Sequence, residues 1–431
     1  MGIPKNKNNN IGKSMHSASK PLLPLSALLG GCMLPLVCQA QLIEDSQLTL
    51  GARNFYMNRD FHGDAPSQNK AEEWAQGFTL RYQSGYTEGT VGFGVDALGA
   101  LGLKLDSGGG TAHTGALLVD RNGDVADQYG SFGLTAKARV ASSVLSIGTH
   151  EPLLPVAFRN DTRLLPQTFK GTQLVSSDLK DLTLTLGQFT AVRLRNSTDY
   201  EEMSMSALAR NGRQVAGRVS SDRFSYAGAS YAVTPALKAS YFYAELKDNY
   251  DQHYGNLTHD ARLTDSLSLK SEVRYFHSGS QGRAEVDNRY LGLMETFSYK
   301  GHALGFIYHN QSGRSGLPFI NGTDPYGFNT STYKSFINAG EDAWQLRYRY
   351  DFAAVGLPGL TWMSRYVQGN HFKIGQRNGR EREFDTDLAY VIQQGPLKNL
   401  GLRWRNVVYR ANYAANVDEN RLIVEYNLKV W

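Results

Sequence analysis

Basic side chains recur at every second position along several polar stripes of this sequence. Arg347 and Arg349 alternate with Leu346, Tyr348 and Tyr350, Arg403 and Arg405 flank Trp404, and Arg421 precedes Leu422. Counted by this alternation, Arg53, Arg81, Lys137, Arg139, Lys270, Arg274, Arg347, Arg349, Arg365, Arg403, Arg405 and Arg421 all fall opposite an apolar face. A guanidinium keeps its charge and grips a carboxylate through two parallel hydrogen bonds. A row of such groups would offer a small carboxylate successive holds, each weak enough to release it. The plainer use is charge balance against acids of the same face: Glu272, Glu295, Asp385, Asp387 and Glu425. Arg403 and Arg405 are the stronger candidates, because two like charges share one face two residues apart. Other chemistry finds no support. The histidines are scattered without metal-ligand spacing. Asp120, Asp124 and Asp127 do not complete a calcium loop, and Gly108-Gly109-Gly110 precedes no helical pattern. No cofactor, metal site or catalytic residue is expected.

The elements that must position these residues are strands. Phe384, Thr386, Leu388, Tyr390 and Ile392 alternate with Asp385, Asp387 and Ala389, and Leu422 to Val430 repeats the pattern with Glu425, Asn427 and Lys429. Alternation of this kind marks strands with two unlike faces. A soluble sandwich would turn the apolar face inward; a transmembrane barrel would turn it to lipid and leave the polar face on a wet lumen. Aromatics near run ends (Tyr290, Phe297, Tyr299, Trp362, Tyr366) fit interfacial girdles, with Tyr250, Tyr254 and Tyr275 as further girdle or wall residues. Connectors alternate between short turns (near 299–302, 353–359 and 394–399) and long polar loops (near 277–287, 310–341, 370–383 and 411–420). The fold expected is all-β: a closed antiparallel transmembrane barrel of about eighteen strands, closed because an open edge would strand backbone groups in hydrocarbon.

Residues 1–40 contain no acid, carry Lys5, Lys7, Lys13 and Lys20, and end an apolar stretch in Val37-Cys38-Gln39-Ala40. This reads as a signal peptide cleaved after Ala40, with Met15 as the start codon. Residues 41–431 then form one barrel domain. Both cysteines, Cys32 and Cys38, fall in the leader, which excludes disulfides and thiol chemistry from the mature chain. Taking those four lysines from the 45 Lys and Arg leaves 41 against 40 Asp and Glu. Nucleic-acid binding loses its electrostatic warrant.

The segment from Glu151 to Gly171 interrupts the strands with Pro152, Pro155 and Pro166, and its pairs Leu153-Leu154 and Leu164-Leu165 need burial. A loop folded into the barrel would bury them. The runs Gly89-Thr90-Val91-Gly92-Phe93-Gly94-Val95-Asp96-Ala97-Leu98-Gly99, Arg163-Leu164-Leu165-Pro166-Gln167-Thr168-Phe169, Gly356-Leu357-Pro358-Gly359-Leu360, Arg365-Tyr366-Val367 and Asp418-Glu419-Asn420-Arg421-Leu422 resemble the OprD family of outer-membrane channels. The resemblance runs from about residue 47 to the end. It implies a monomeric eighteen-stranded barrel narrowed by inward-folded loops, which passively admits small carboxylates along a ladder of basic residues. By that resemblance Arg163 sits on the constricting loop and Arg365, Arg403, Arg405 and Arg421 on the pore wall. Arg410 matches the family's basic strand although it is out of phase with the inward face. Two other functions compete: a hydrolase on the barrel rim, which needs an acid–base pair at the outer loops, and an adhesin or receptor using long loops 187–223 and 310–341.

Overall fold

The computed structural model describes residues 42–63 and 66–431; the leader, its cleavage site and both cysteines lie outside them. Eighteen strands form one sheet: β1 (Gln47–His62), β2 (Lys70–Gln83), β3 (Gly92–Asp106), β4 (Gln128–Val140), β5 (Ser143–His150), β6 (Thr168–Ser176), β7 (Leu182–Arg193), β8 (Phe224–Ala232) and β9 (Leu237–Leu246) make the first half. The second half comprises β10 (Tyr250–Arg262), β11 (Leu267–Ser280), β12 (Asp287–Tyr299), β13 (His302–Gly313), β14 (Asp342–Asp351), β15 (Leu360–Ile374), β16 (Arg377–Val391), β17 (Gly401–Ala411) and β18 (Asn416–Lys429). Each pairs antiparallel with its neighbours in sequence, and β1 also pairs with β18, so the sheet closes. At the seam Trp431 donates its indole N–H to Ser46 Oγ at 2.9 Å, which ties the last residue to the segment before β1.

The alternation has the predicted polarity on the outside. Leu291, Leu293, Phe297, Phe384, Leu388, Leu422 and Leu428 are exposed large apolar side chains, while Asp385, Glu419 and Arg421 on the opposite face are buried. Short turns close the end that carries the termini. The turn after β14 is a single 3₁₀ turn, Phe352–Val355, which Asp351 caps through Ala353 N at 3.0 Å. Gly356 (φ 84°) and Gly359 (φ 89°) then take left-handed conformations that a side chain would strain, which explains the Gly-Leu-Pro-Gly motif.

The opposite end differs from expectation in three places. The loop expected at 277–287 shrinks to 281–286, because β11 runs on to Ser280. Residues 370–383 and 411–420 form no long loops: β15 and β16 continue to a tip at 375–376, and β17 and β18 to a tip at 412–415. These strands rise past the apolar band with polar residues on both faces, which mimics a loop in sequence. The true long connections, 107–127, 151–167, 194–223 and 314–341, turn into the barrel.

Their burial shapes the interior. Val156 and Ala157, Met203, Met205, Ala207 and Val215, and Leu317 and Ile320 come from three loops and pack against Phe169, Phe189, Phe224, Phe242, Phe276 and Tyr290 of the wall. Each of the larger side chains among them, the alanines apart, contributes roughly 1.5–3 kcal/mol on withdrawal from water. Tyr290, expected in a girdle, belongs to this inner core, as do Tyr250 and Tyr254, expected in a girdle or the wall. They share the inward phase of Gln252 and Asn288, whereas Phe297, Tyr299, Trp362 and Tyr275 do face out.

Candidate solute path and constriction

Loop 151–167 is seated by complementary shapes and charges. A Cβ at Gly77 or Gly102 would meet Leu164 at 3.0–3.1 Å, so these two wall glycines leave room for the loop's leucine. Leu164 and Leu165 complete a second core with Phe55, Met57, Leu117 and Tyr129. Arg53 of β1 holds the loop from the wall: Nη1 donates to Asp161 Oδ1 at 2.9 Å and to the Arg163 carbonyl at 2.5 Å, and Nε binds Glu425 at 2.6 Å. Burial opposes ionisation of Asp161, but Arg53 and then Arg159 outweigh it and hold its pKa below the usual carboxylate range.

Loop 314–341 is anchored on β16, whose inward face presents Glu381, Glu383, Asp385 and Asp387, all buried. Glu383 accepts the consecutive backbone amides of Tyr333 and Lys334 at 2.8 and 2.9 Å. Asp385 accepts from Thr332 Oγ1 at 2.8 Å, and Glu381 from Asn338 Nδ2 at 2.8 Å. The two loops also bind each other. Asn160 Nδ2 donates to Asp324 Oδ1 at 2.9 Å, and Asp324 N to the Phe158 carbonyl at 3.0 Å.

Arginines converge where the loops meet. Arg421 is almost fully buried; it pairs with Glu419 at 2.5 Å and donates to the carbonyls of Thr162 (3.4 Å) and Thr332 (3.1 Å), one from each loop. Arg59 binds the other oxygen of Glu419 and lies 5.0 Å over the Tyr333 ring. Arg163 donates to the Thr114 and Thr162 carbonyls, and Arg195 to the Gly115 carbonyl and Thr162 Oγ1. Neither takes a carboxylate partner among the described residues. Burial, then the adjacent Arg421 and Arg195, push the Arg163 pKa well down from its usual value. Burial raises the Asp324 carboxyl to about 6 against the pull of Arg195 and Arg163.

The remaining predicted residues line the adjoining wall. Arg365 Nε binds Asp385 at 2.6 Å and its Nη2 reaches Thr332 Oγ1 at 3.0 Å. Arg405 binds Asp387 at 2.6 Å, while Arg403 stands 3.6 Å from the same carboxylate and is 47 % exposed. Below loop 151–167, on the side of the termini, Arg53, Arg81 and Arg159 line a cavity of about 260 Å³ with Asp161 and Glu425. Arg410 does not join them. It shares the outward phase of Leu402 and Trp404 and pairs with Asp418 at 2.7 Å, so the pore position read for it from the family's basic strand does not hold. Arg59 and Arg195 were absent from the sequence reading. Arg59 shares the phase of Arg53 and was legible; Arg195 lies on a loop, where alternation carries no signal.

A closed eighteen-stranded barrel with an apolar outer belt, and with loops and charges turned inward, defines an outer-membrane channel. The profile of the outer membrane porin, OprD family, matches residues 40–430. The porin-like protein GalP of Pseudomonas putida is 37% identical over 418 residues, covering 95% of this chain and 98% of its own. Pseudomonas aeruginosa OpdQ, solved by crystallography, is 47% identical with a TM-score of 0.83, covering 91% of this chain and 100% of its own. The crystal structure of Pseudomonas aeruginosa OpdK with vanillate superposes with a TM-score of 0.83 at 37% identity, covering 90% and 100%. This chain belongs to the OprD family: it is an outer-membrane porin of a Gram-negative cell, a channel and not an enzyme.

Proposed function

We propose that this porin passes small carboxylate-bearing solutes, acting as a monomer, with its basic residues as successive holds. The observation that carries the reading is the pair Arg163 and Arg195, two guanidiniums that take no carboxylate partner among the described residues and lie beside Arg421 where two loops meet. A carboxylate arriving there meets several donors, and the four arginines Arg59, Arg163, Arg195 and Arg421 outnumber the acids Glu419 and Asp324 beside them. On the wall, Arg365, Arg403 and Arg405 share Asp385 and Asp387, so each grips a solute more weakly than a free guanidinium would, and release stays possible. Vanillate, held in the structure of a relative, is an aromatic carboxylate, which agrees with this class. The long loops that kept a receptor in view bury Met203, Met205, Leu317 and Ile320 inside the barrel.

Liposome swelling tests the reading. The purified barrel should admit benzoate faster than benzylamine, and Arg195→Gln or the pair Arg403→Gln/Arg405→Gln should erase the difference. An unchanged preference in both variants would refute the ladder.

A further inference from the structure

The run Arg380-Glu381-Arg382-Glu383 looks charge-balanced in sequence, but the barrel wall separates its charges. Glu381 and Glu383 are buried on the inner face, and Arg380 and Arg382 are exposed on the outer one. Arg382 stands directly opposite Arg410 in the β16–β17 register, and Arg410 also faces outward. Like charges directly opposed across two strands repel and destabilise the pairing. Asp418 answers Arg410 at 2.7 Å, yet neither Arg380 nor Arg382 takes a carboxylate among the described residues. Asp418 itself stands opposite Asp60 of β1, so an acidic side begins at β18 and bounds the basic patch there.

Height on the wall identifies what the patch meets. Phe384, two residues from Arg382 on the same face, is 44 % exposed and begins the apolar belt that continues through Leu388 and Tyr390. Arg380, Arg382 and Arg410 therefore sit just above hydrocarbon, at the end opposite the termini, which is the outer side of a bacterial barrel. Basic side chains at that level meet lipid headgroups. The headgroups of this leaflet in a Gram-negative cell belong to a phosphorylated glycolipid, and a guanidinium matches phosphate in a bidentate manner.

We infer that Arg380 and Arg382, with Arg410 beside them, form a binding site for the phosphate groups of outer-leaflet glycolipid on the lipid-facing wall. Arg410 is thus a basic residue of the membrane side of the barrel.

Native mass spectrometry of the detergent-purified full barrel, titrated with phosphorylated lipid A and with its enzymatically dephosphorylated form, reads the site. Retention of the phosphorylated form should fall about tenfold or more in Arg380→Gln/Arg382→Gln. That variant should keep wild-type conductance, which also shows an intact barrel. The lumen pair Arg403→Gln/Arg405→Gln should retain the lipid as wild type does. Equal retention of the dephosphorylated form, undiminished retention by Arg380→Gln/Arg382→Gln, equal loss in the lumen pair, or equal displacement by inorganic phosphate would overturn the assignment.

Discussion

The inner wall of this porin divides into two unlike sectors. From β6 to β12 its inward residues are Phe169, Phe189, Phe224, Phe242, Phe276 and Tyr290, sealed against three loops. From β14 to β18 and on to β1 they are Arg365, Asp385, Asp387, Arg405, Glu419, Arg421 and Arg53, joined in ion pairs. Both sectors obey the same two-residue alternation. One uses its inner face to support the loops and the other to border water. A barrel of this width needs both, because loops without an apolar seat would not hold the constriction in place.

The comparison sharpens first through the packed sector. Phe276→Ala removes a nearly inaccessible ring from the core. A loss of about 3–5 kcal/mol is expected, seen as a lower unfolding midpoint in detergent. A comparable loss from Arg403→Gln, which is half-exposed, would erase the distinction between sectors. The loop anchor comes next. Glu383→Ala strips two half-buried backbone amides of their acceptor, at about 1 kcal/mol for each. Loop 314–341 should loosen, and single-channel conductance should rise and become noisy; Glu383→Gln, which keeps one acceptor oxygen, should fall between. Steady wild-type currents in Glu383→Ala would show that the apolar core alone fixes the loop.

The smallest effect concerns acidity. The Asp324 carboxyl, near Arg195, Arg163, Asp161 and Arg421, is raised to about 6 in the folded protein, against ~3.9 unfolded. A raised carboxyl pKa makes protonation favour the folded loops. That contribution is complete below ~3.9 and is lost as pH rises through about 6. Protonation also removes one negative charge from the constriction. Anion preference, read from reversal potentials, should grow as pH falls from 7 to 5, and Asp324→Asn should flatten the change. A slope that persists in Asp324→Asn would assign the titration to another group.

The alternation at Phe384–Ile392 and Leu422–Val430 carried the barrel, its closure and its outer face directly from the sequence. Pro152, Pro155 and the pair Leu164-Leu165 likewise disclosed the folded-in loop, whereas Leu153, expected to be buried with Leu154, is exposed. Alternation states which side a residue faces but not what covers that side. Tyr290 therefore looks like a girdle residue in sequence although its phase is inward, and the packed sector leaves no signal of its own. Arg410 shows the converse: its phase was correct and the family pattern misled. Partners far apart in sequence, such as Thr332 with Asp385 or Arg421 with Thr162, leave no local trace, because they depend on how loops enter the lumen.

The division of the wall is tested most directly by thiol accessibility, since both cysteines of the chain precede the barrel. Cysteine is placed in the charged sector by Arg403→Cys and in the packed sector by Ala244→Cys, where the native side chain is fully buried. A water-soluble charged thiol reagent added during single-channel recording should reduce current through Arg403→Cys and leave Ala244→Cys unchanged. Block of Ala244→Cys with no effect on Arg403→Cys would place the water path on the wrong side of the barrel.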